Sequence, residues 1–141
     1  MRIKNPHLKP GQRQVIIIGG GFGGVSAAKE FADRDDIQVV LVDQRNYHLF
    51  QPLLYQVATA GLNPSDIAVP IRSIFTKSQN ISVRLARVEK VNLQERYIIG
   101  EGGEELAYDY LIMACGVRHS YFGKSSWESF AGSFPRSIFS H

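Results

Sequence analysis

Val15-Ile16-Ile17-Ile18-Gly19-Gly20-Gly21-Phe22-Gly23-Gly24 is the stretch on which the fold turns. Its first four residues are β-branched, an unbroken apolar run that suits a strand buried on both faces of a parallel sheet. Gly19 ends it. From Gly24 the apolar residues Val25, Ala28, Phe31 and Ala32 recur at helical spacing, and the polar cluster Asp33, Arg34, Asp35, Asp36 closes that helix. Ile37, Val39, Val40, Leu41 and Val42 make a second buried strand with Asp43 at its carboxyl end. Strand, glycine turn, helix and strand within about 30 residues predict a right-handed βαβ unit.

The glycines satisfy G-x-G-x-x-G with Gly19, Gly21 and Gly24 at the fixed positions. Gly19 would make the sharp turn off the strand, Gly21 would let a pyrophosphate approach the backbone, and Gly24 would let the helix pack closely on the strand. The helix start then offers N–H groups and the positive end of its dipole to the phosphates. Such a turn can also be only a turn. The buried strand before it, the helix after it and an acid about 20 residues further on favour a dinucleotide site. A carboxylate at Asp43 can accept both ribose hydroxyls and repels a 2′-phosphate, which favours FAD or NAD over NADP.

Working outward, residues 1–13 read as a flexible polar arm broken by Pro6, Pro10 and Gly11, with order starting at Gln14. Leu49 to Ala60 carries apolar residues on a short helical pattern. Asn63-Pro64-Ser65-Asp66 resembles an N-cap, a first-turn proline and an acid at N3, predicting a short helix that Pro70 kinks or restarts before Ile71, Ile74 and Phe75. From Ile81 the period becomes two: Ile81, Val83 and Leu85, then Val88 and Val91, then Tyr97 and Ile99 predict short strands, with Glu101-Gly102-Gly103-Glu104 as a turn. Tyr110 to Ala114 form a last buried strand ending at Gly116. The expected fold is therefore α/β: a Rossmann-like half-domain with a parallel sheet and a small β-meander insertion.

Composition narrows the function. The 16 basic and 13 acidic residues leave a net charge of +3 without a dense basic block, so a nucleic-acid surface is unsupported. One cysteine, Cys115, cannot form an internal disulfide, and no Cys/His cluster has metal-ligand spacing. Cys115 is expected to be a small buried apolar residue. No apolar run approaches the roughly 18 residues of a spanning helix, and the polar start lacks the apolar stretch of a secretory signal. A cytoplasmic location is the expectation.

The strand-rich insertion between Ile81 and Ile99 is the layout of FAD domains in flavoproteins that bind two dinucleotides. The segment from Asp43 to Leu62, DQRNYHLFQPLLYQVATAGL, followed by Asp66-Ile-Ala-Val-Pro-Ile-Arg72 and Tyr110-Leu-Ile-Met-Ala-Cys-Gly116, resembles the amino-terminal part of type II, non-proton-pumping NADH:quinone oxidoreductases. The resemblance covers about Gln14 to Trp127. It implies that Gly19, Gly20, Gly21, Phe22, Gly23 and Gly24 hold the FAD pyrophosphate and that Asp43, with Gln44 and Arg45 beside it, holds the adenosine ribose. It also implies that Gln51, Pro52 and Leu53 run along the flavin side of the pocket and that backbone near Val88 meets adenine. Ala114-Cys115-Gly116 matches the family's Ala-Thr-Gly turn, with cysteine replacing the threonine.

The resemblance implies an enzyme in which NADH reduces FAD and the flavin reduces a quinone, docked peripherally on the cytoplasmic face of the inner membrane. In this family a second glycine-rich unit binds NADH. The chain carries one such turn, and from Phe130 onward its sequence departs from the family pattern. Truncation is thus expected, with residues 14–127 as the first part of an FAD-binding domain and 128–141 as an unrelated tail without order. The rival reading is a stand-alone FAD- or NAD-binding module without catalysis. Chemistry through a cysteine pair is excluded by the single cysteine. His48 is open to a packed or capping role or a catalytic one, and Tyr47, Phe50 and Tyr55 to a place in the core. No residue is assigned as catalytic.

Overall fold

In the computed structural model, which describes residues 8–117 and Ser126, the chain runs Arg13–Ile18 (β1), Phe22–Glu30 (α1), Ile37–Asp43 (β2), Tyr47–Leu49 (β3), Leu54–Ala58 (α2), Ala68–Pro70 (β4), Ile71–Ile74 (α3), Ile81–Leu85 (β5), Val88–Asn92 (β6), Tyr97–Gly100 (β7), Glu105–Ala107 (β8) and Tyr110–Met113 (β9). Short 3-10 turns occupy Gln51–Leu53 and Pro64–Asp66. Of the described residues, 8–49 and 69–116 form one compact unit and 50–68 lie in a second. The expectations for residues 1–7 and 128–141 fall outside the described residues.

The first unit is built on a four-stranded parallel sheet in the order β5-β2-β1-β9. Ile16 of the central β1 lies opposite Val40 on one side and Leu111 on the other. Side chains alternate along the strands, and both faces are covered. Val15, Ile17, Val39 and Leu41 pack with Val25 and Ala28 of α1 and with Ile71 and Phe75, whereas Ile16, Ile18, Val40 and Val42 pack with Ile98, Leu106 and Tyr108. Two buried faces are the reason for the unbroken β-branched run: after the exposed Arg13, no position from Gln14 to Ile18 has water to face. The second cover is the antiparallel meander β6-β7-β8. The parallel sheet and a meander are therefore present, but Ile81–Leu85, read as the start of the insertion, is the outer strand of the parallel sheet, because it pairs with β2. The three-residue β8 is too short for a two-residue period to reveal.

Two local expectations are corrected. The helical pattern from Leu49 to Ala60 becomes the end of β3, a 3-10 turn and a five-residue helix, because Leu49 belongs to a strand in the β3-β4 sheet and Pro52 sits in the first turn beyond it. At Asn63 the cap forms as read: the Asn63 N–H donates to the Asp66 carboxylate at 2.8 Å. Only a 3-10 turn follows, since a residue preceding proline is biased toward extended backbone, and Ala68–Pro70 forms β4. Pro70 then caps the restarted helix Ile71–Ile74.

Asn80 is a structural residue that no sequence pattern singled out. It is buried, its Nδ2 donates to the carbonyls of Phe31 (2.7 Å), Arg34 (3.2 Å) and Ile37 (3.2 Å), and its Oδ1 accepts from the Asp33 N–H (2.9 Å). Asp33 has a φ of 60°, a left-handed conformation that this bond supports. One side chain thus closes the exit of α1 and starts β5. Asn80→Ala deprives all four backbone groups of that partner and is expected to cost roughly 2–3 kcal/mol. Urea unfolding measures it; a loss below about 0.5 kcal/mol would show that the α1–β2 turn holds without Asn80.

Candidate functional site

The sheet order places β1 between β2 and β9: the chain steps from β1 through β2 to β5 on one side and later returns to β9 on the other, which makes the carboxyl ends of β1 and β9 the switch point where sheets of this kind bind ligands. Gly19 and Ala114 stand at those ends. Gly19 has a φ of +106°, and a Cβ there would collide with the backbone carbonyl of Ala114. Its N–H is held by the Val42 carbonyl at 2.8 Å, and the Ala114 N–H donates to the Ile18 carbonyl at 2.8 Å. The glycine turn and the Ala114-Cys115-Gly116 turn are therefore neighbours at the switch point.

Each glycine has distinct surroundings. A Cβ on Gly20 would meet Ile71 Cδ1 at 2.5 Å and the Asp43 carboxylate at 3.3 Å. On Gly24 it would run into the Gly19 carbonyl oxygen, so α1 sits directly on the turn. Around Gly21, apart from its chain neighbours, none of the described residues lies within 4 Å of the Cβ position. Gly21 is the N-cap of α1 and has no side chain to cap the first-turn N–H groups. Gly21, Phe22 and Gly23 are exposed, whereas Gly20 and Gly24 are buried.

Asp43 is bound into this turn. Its Oδ2 accepts the Gly20 N–H at 2.5 Å and its Oδ1 accepts the Arg45 N–H at 2.6 Å. Gln44 and Arg45 are exposed beside it. The Ala86 N–H donates to the Asp43 carbonyl at 2.9 Å, which carries the chain after β5 past Asp43 and places Val88 two residues further on. Val88 is half-buried and packs on the meander-side core. Gln51, Pro52 and Leu53 form the 3-10 turn of the second unit, with Gln51 and Pro52 exposed.

Three readings change. Cys115 is exposed, not buried, because β9 has already ended at Met113 and residue 115 lies past the covered faces; its Sγ is 3.9 Å from the Ile18 carbonyl. Phe50 and Tyr55 are 43% and 62% exposed and lie outside the core, while Tyr47 is half-buried. His48 is packed at the turn: Nδ1 is 3.0 Å from the Gly20 carbonyl oxygen and the ring stands edge-on to Phe22, centroids 5.0 Å apart. No pattern in the sequence linked His48 or Ile71 to the turn, since both contacts cross between distant segments.

Strand order, a glycine turn at the switch point and a carboxylate against that turn define a doubly wound α/β protein of the Rossmann type. The chain belongs to the pyridine nucleotide-disulphide oxidoreductase family, whose model matches residues 13–136. It is 40% identical over 132 residues to the type II NADH:quinone oxidoreductase Ndh of Mycobacterium tuberculosis, covering 91% of this chain and 28% of that protein. The sulfide:quinone oxidoreductase structure from Aquifex aeolicus matches 77% of this chain and 25% of its own, with a TM-score of 0.72 and 27% identity. The Plasmodium falciparum NDH2 structure in complex with NADH matches 79% of this chain and 24% of its own, with a TM-score of 0.70 and 26% identity. The chain thus spans under a third of the length of these relatives. Among the described residues no helix is long and apolar enough to cross a membrane, and no group of His, Cys, Asp or Glu could hold a metal ion.

Proposed function

We propose that this chain is the FAD-binding amino-terminal part of an NADH:quinone oxidoreductase. The observation that carries the reading is the contrast within the glycine turn. Gly19, Gly20 and Gly24 are crowded by their own chain, whereas Gly21 opens onto space beside a carboxylate already fixed at the turn. That opening fits a group that must approach backbone, and Asp43 beside it fits a ribose. The 40% identity to a type II NADH:quinone oxidoreductase supports FAD as the dinucleotide.

In this reading the residues from Gly19 to Gly24 receive the pyrophosphate and Asp43 accepts the ribose hydroxyls through the lone pairs not used by Gly20 and Arg45. Backbone around Val88 borders the adenine, and the Ala114-Cys115-Gly116 turn closes the opposite side of the crevice. Gln51, Pro52 and Leu53 are the residues that the family resemblance assigns to the flavin side. When bound, the flavin supplies the hydride and electron chemistry between NADH and quinone; the protein supplies binding and orientation. Activity belongs to the intact enzyme, peripheral on the cytoplasmic face of the inner membrane.

Titration of the chain with FAD, followed by flavin fluorescence, tests the proposal. Saturable binding is expected, and Asp43→Ala should weaken it by on the order of 1.5–3 kcal/mol, the value of hydrogen bonds to a charged group. NAD binding in preference to FAD would replace this reading with that of a different dinucleotide module. Equal FAD affinity in parent and Asp43→Ala chains would remove Asp43 from the site.

A further inference from the structure

The turn contains three consecutive glycines, Gly19-Gly20-Gly21, the residue type with the widest backbone freedom. A phosphate-facing turn needs its peptide planes to stay put, because a flipped plane would present a carbonyl oxygen to an anion. Gly19 is held through its N–H to Val42, and Gly20 through its N–H to Asp43. The next plane joins the Gly20 carbonyl to the Gly21 N–H, and its anchor comes from β3, more than 20 residues away: His48 Nδ1, 3.0 Å from the Gly20 oxygen.

We infer that His48 is a positioning residue for the dinucleotide turn, holding the Gly20–Gly21 peptide plane through an Nδ1–H bond to the Gly20 carbonyl; this rests on the FAD reading above. A carbonyl oxygen can only accept, so the histidine nitrogen must carry the proton, a state available in both the neutral Nδ1–H tautomer and the imidazolium. The chain has no cis peptide bond among its described residues. In a trans plane the N–H points opposite to the C=O. Fixing the Gly20 oxygen on His48 therefore turns the Gly21 N–H away from His48, at the exposed residue around which the Cβ position is empty. The edge-on contact with Phe22 keeps the imidazole in place and links it to the first residue of α1.

Two variants separate the hydrogen bond from ring packing. His48→Asn keeps an N–H donor at the same bond path from Cβ and removes the ring, whereas His48→Phe keeps a ring against Phe22 and removes the donor. FAD affinity is read by flavin fluorescence, and peptide-plane motion by nitrogen-15 relaxation dispersion at the Gly20 and Gly21 amides without flavin. Removing the donor in His48→Phe should weaken FAD about tenfold or more and add exchange at Gly21, while His48→Asn stays within about threefold of the parent and adds none. Parent-like affinity in His48→Phe, or equal loss in both variants, overturns the inference. If the parent itself binds no FAD, the flavin reading fails separately and the amide data decide: exchange in His48→Phe alone supports positioning, and any other pattern overturns it. Should His48→Phe not fold, His48→Asn decides, with parent-like affinity and quiet amides in support and a loss of about tenfold against.

Discussion

A Gly24→Val chain is expected to lose at least about 3 kcal/mol of stability and with it any flavin binding. Gly24 is the third residue of α1 and is buried, and its missing Cβ is the space into which the Gly19 carbonyl fits. The obstructing atom is backbone, so no rotamer change relieves the overlap. Nor can the turn yield easily, because the Gly19 N–H is tied to the Val42 carbonyl at 2.8 Å, at the carboxyl end of the β1–β2 pair. The helix must lift from β1, withdrawing Val25 and Ala28 from the core they share with Val15, Ile17, Val39 and Leu41. Urea unfolding with the slope held common to parent and variant measures the loss. A difference below about 1 kcal/mol would mean that α1 slides along β1 without leaving it.

The second large effect is opposite in kind. Gly21→Val should leave stability within about 0.5 kcal/mol of the parent yet lower FAD affinity at least about 100-fold, or about 2.7 kcal/mol. Gly21 has φ −76° and ψ −166°, an extended conformation open to any L-residue, and apart from its chain neighbours none of the described residues lies within 4 Å of its Cβ position. The Cβ of a valine there meets none of the described residues within 4 Å. It would occupy the side of the turn from which a pyrophosphate approaches, so its whole cost falls on the ligand. Parallel unfolding and flavin titrations of one preparation report both quantities. Binding within about tenfold of the parent would move the pyrophosphate away from Gly21. Taken with Gly24→Val, the pair separates the two uses of glycine in one motif, close packing at one position and ligand access at the other.

What could be read from the residues was whatever repeats locally or has one mechanical cause. The run from Val15 to Ile18, the helical spacing from Val25 to Ala32 and the strand ending at Asp43 announced the βαβ unit, because each is a pattern of burial along one element. The alternation from Ile81 to Ile99 announced strands in the same way, but not their pairing: Ile81–Leu85 joins β2 in the parallel sheet, and only the strands from Val88 onward form the meander. The fixed glycine spacing located the turn, and Asp43 followed from its place at the end of the second strand. Leu49 to Ala60 misled because a short apolar run has no period long enough to separate a helix from a strand end and a 3-10 turn. Cys115 misled because burial depends on where β9 stops, and a one-residue difference there moves it past the sheet. The bond from Asp43 to Gly20, the collar of Asn80 around the α1–β2 turn, the Ile71 methyl above Gly20 and the bond from His48 to the Gly20 carbonyl join segments distant in the chain. They arise when the parallel sheet brings strand ends together, amino ends for Asn80 and carboxyl ends for the others, and no residue type at either end signals its partner. Local periodicity encodes elements, whereas a hydrogen bond across some 30 residues exists only once the sheet register has set the distance.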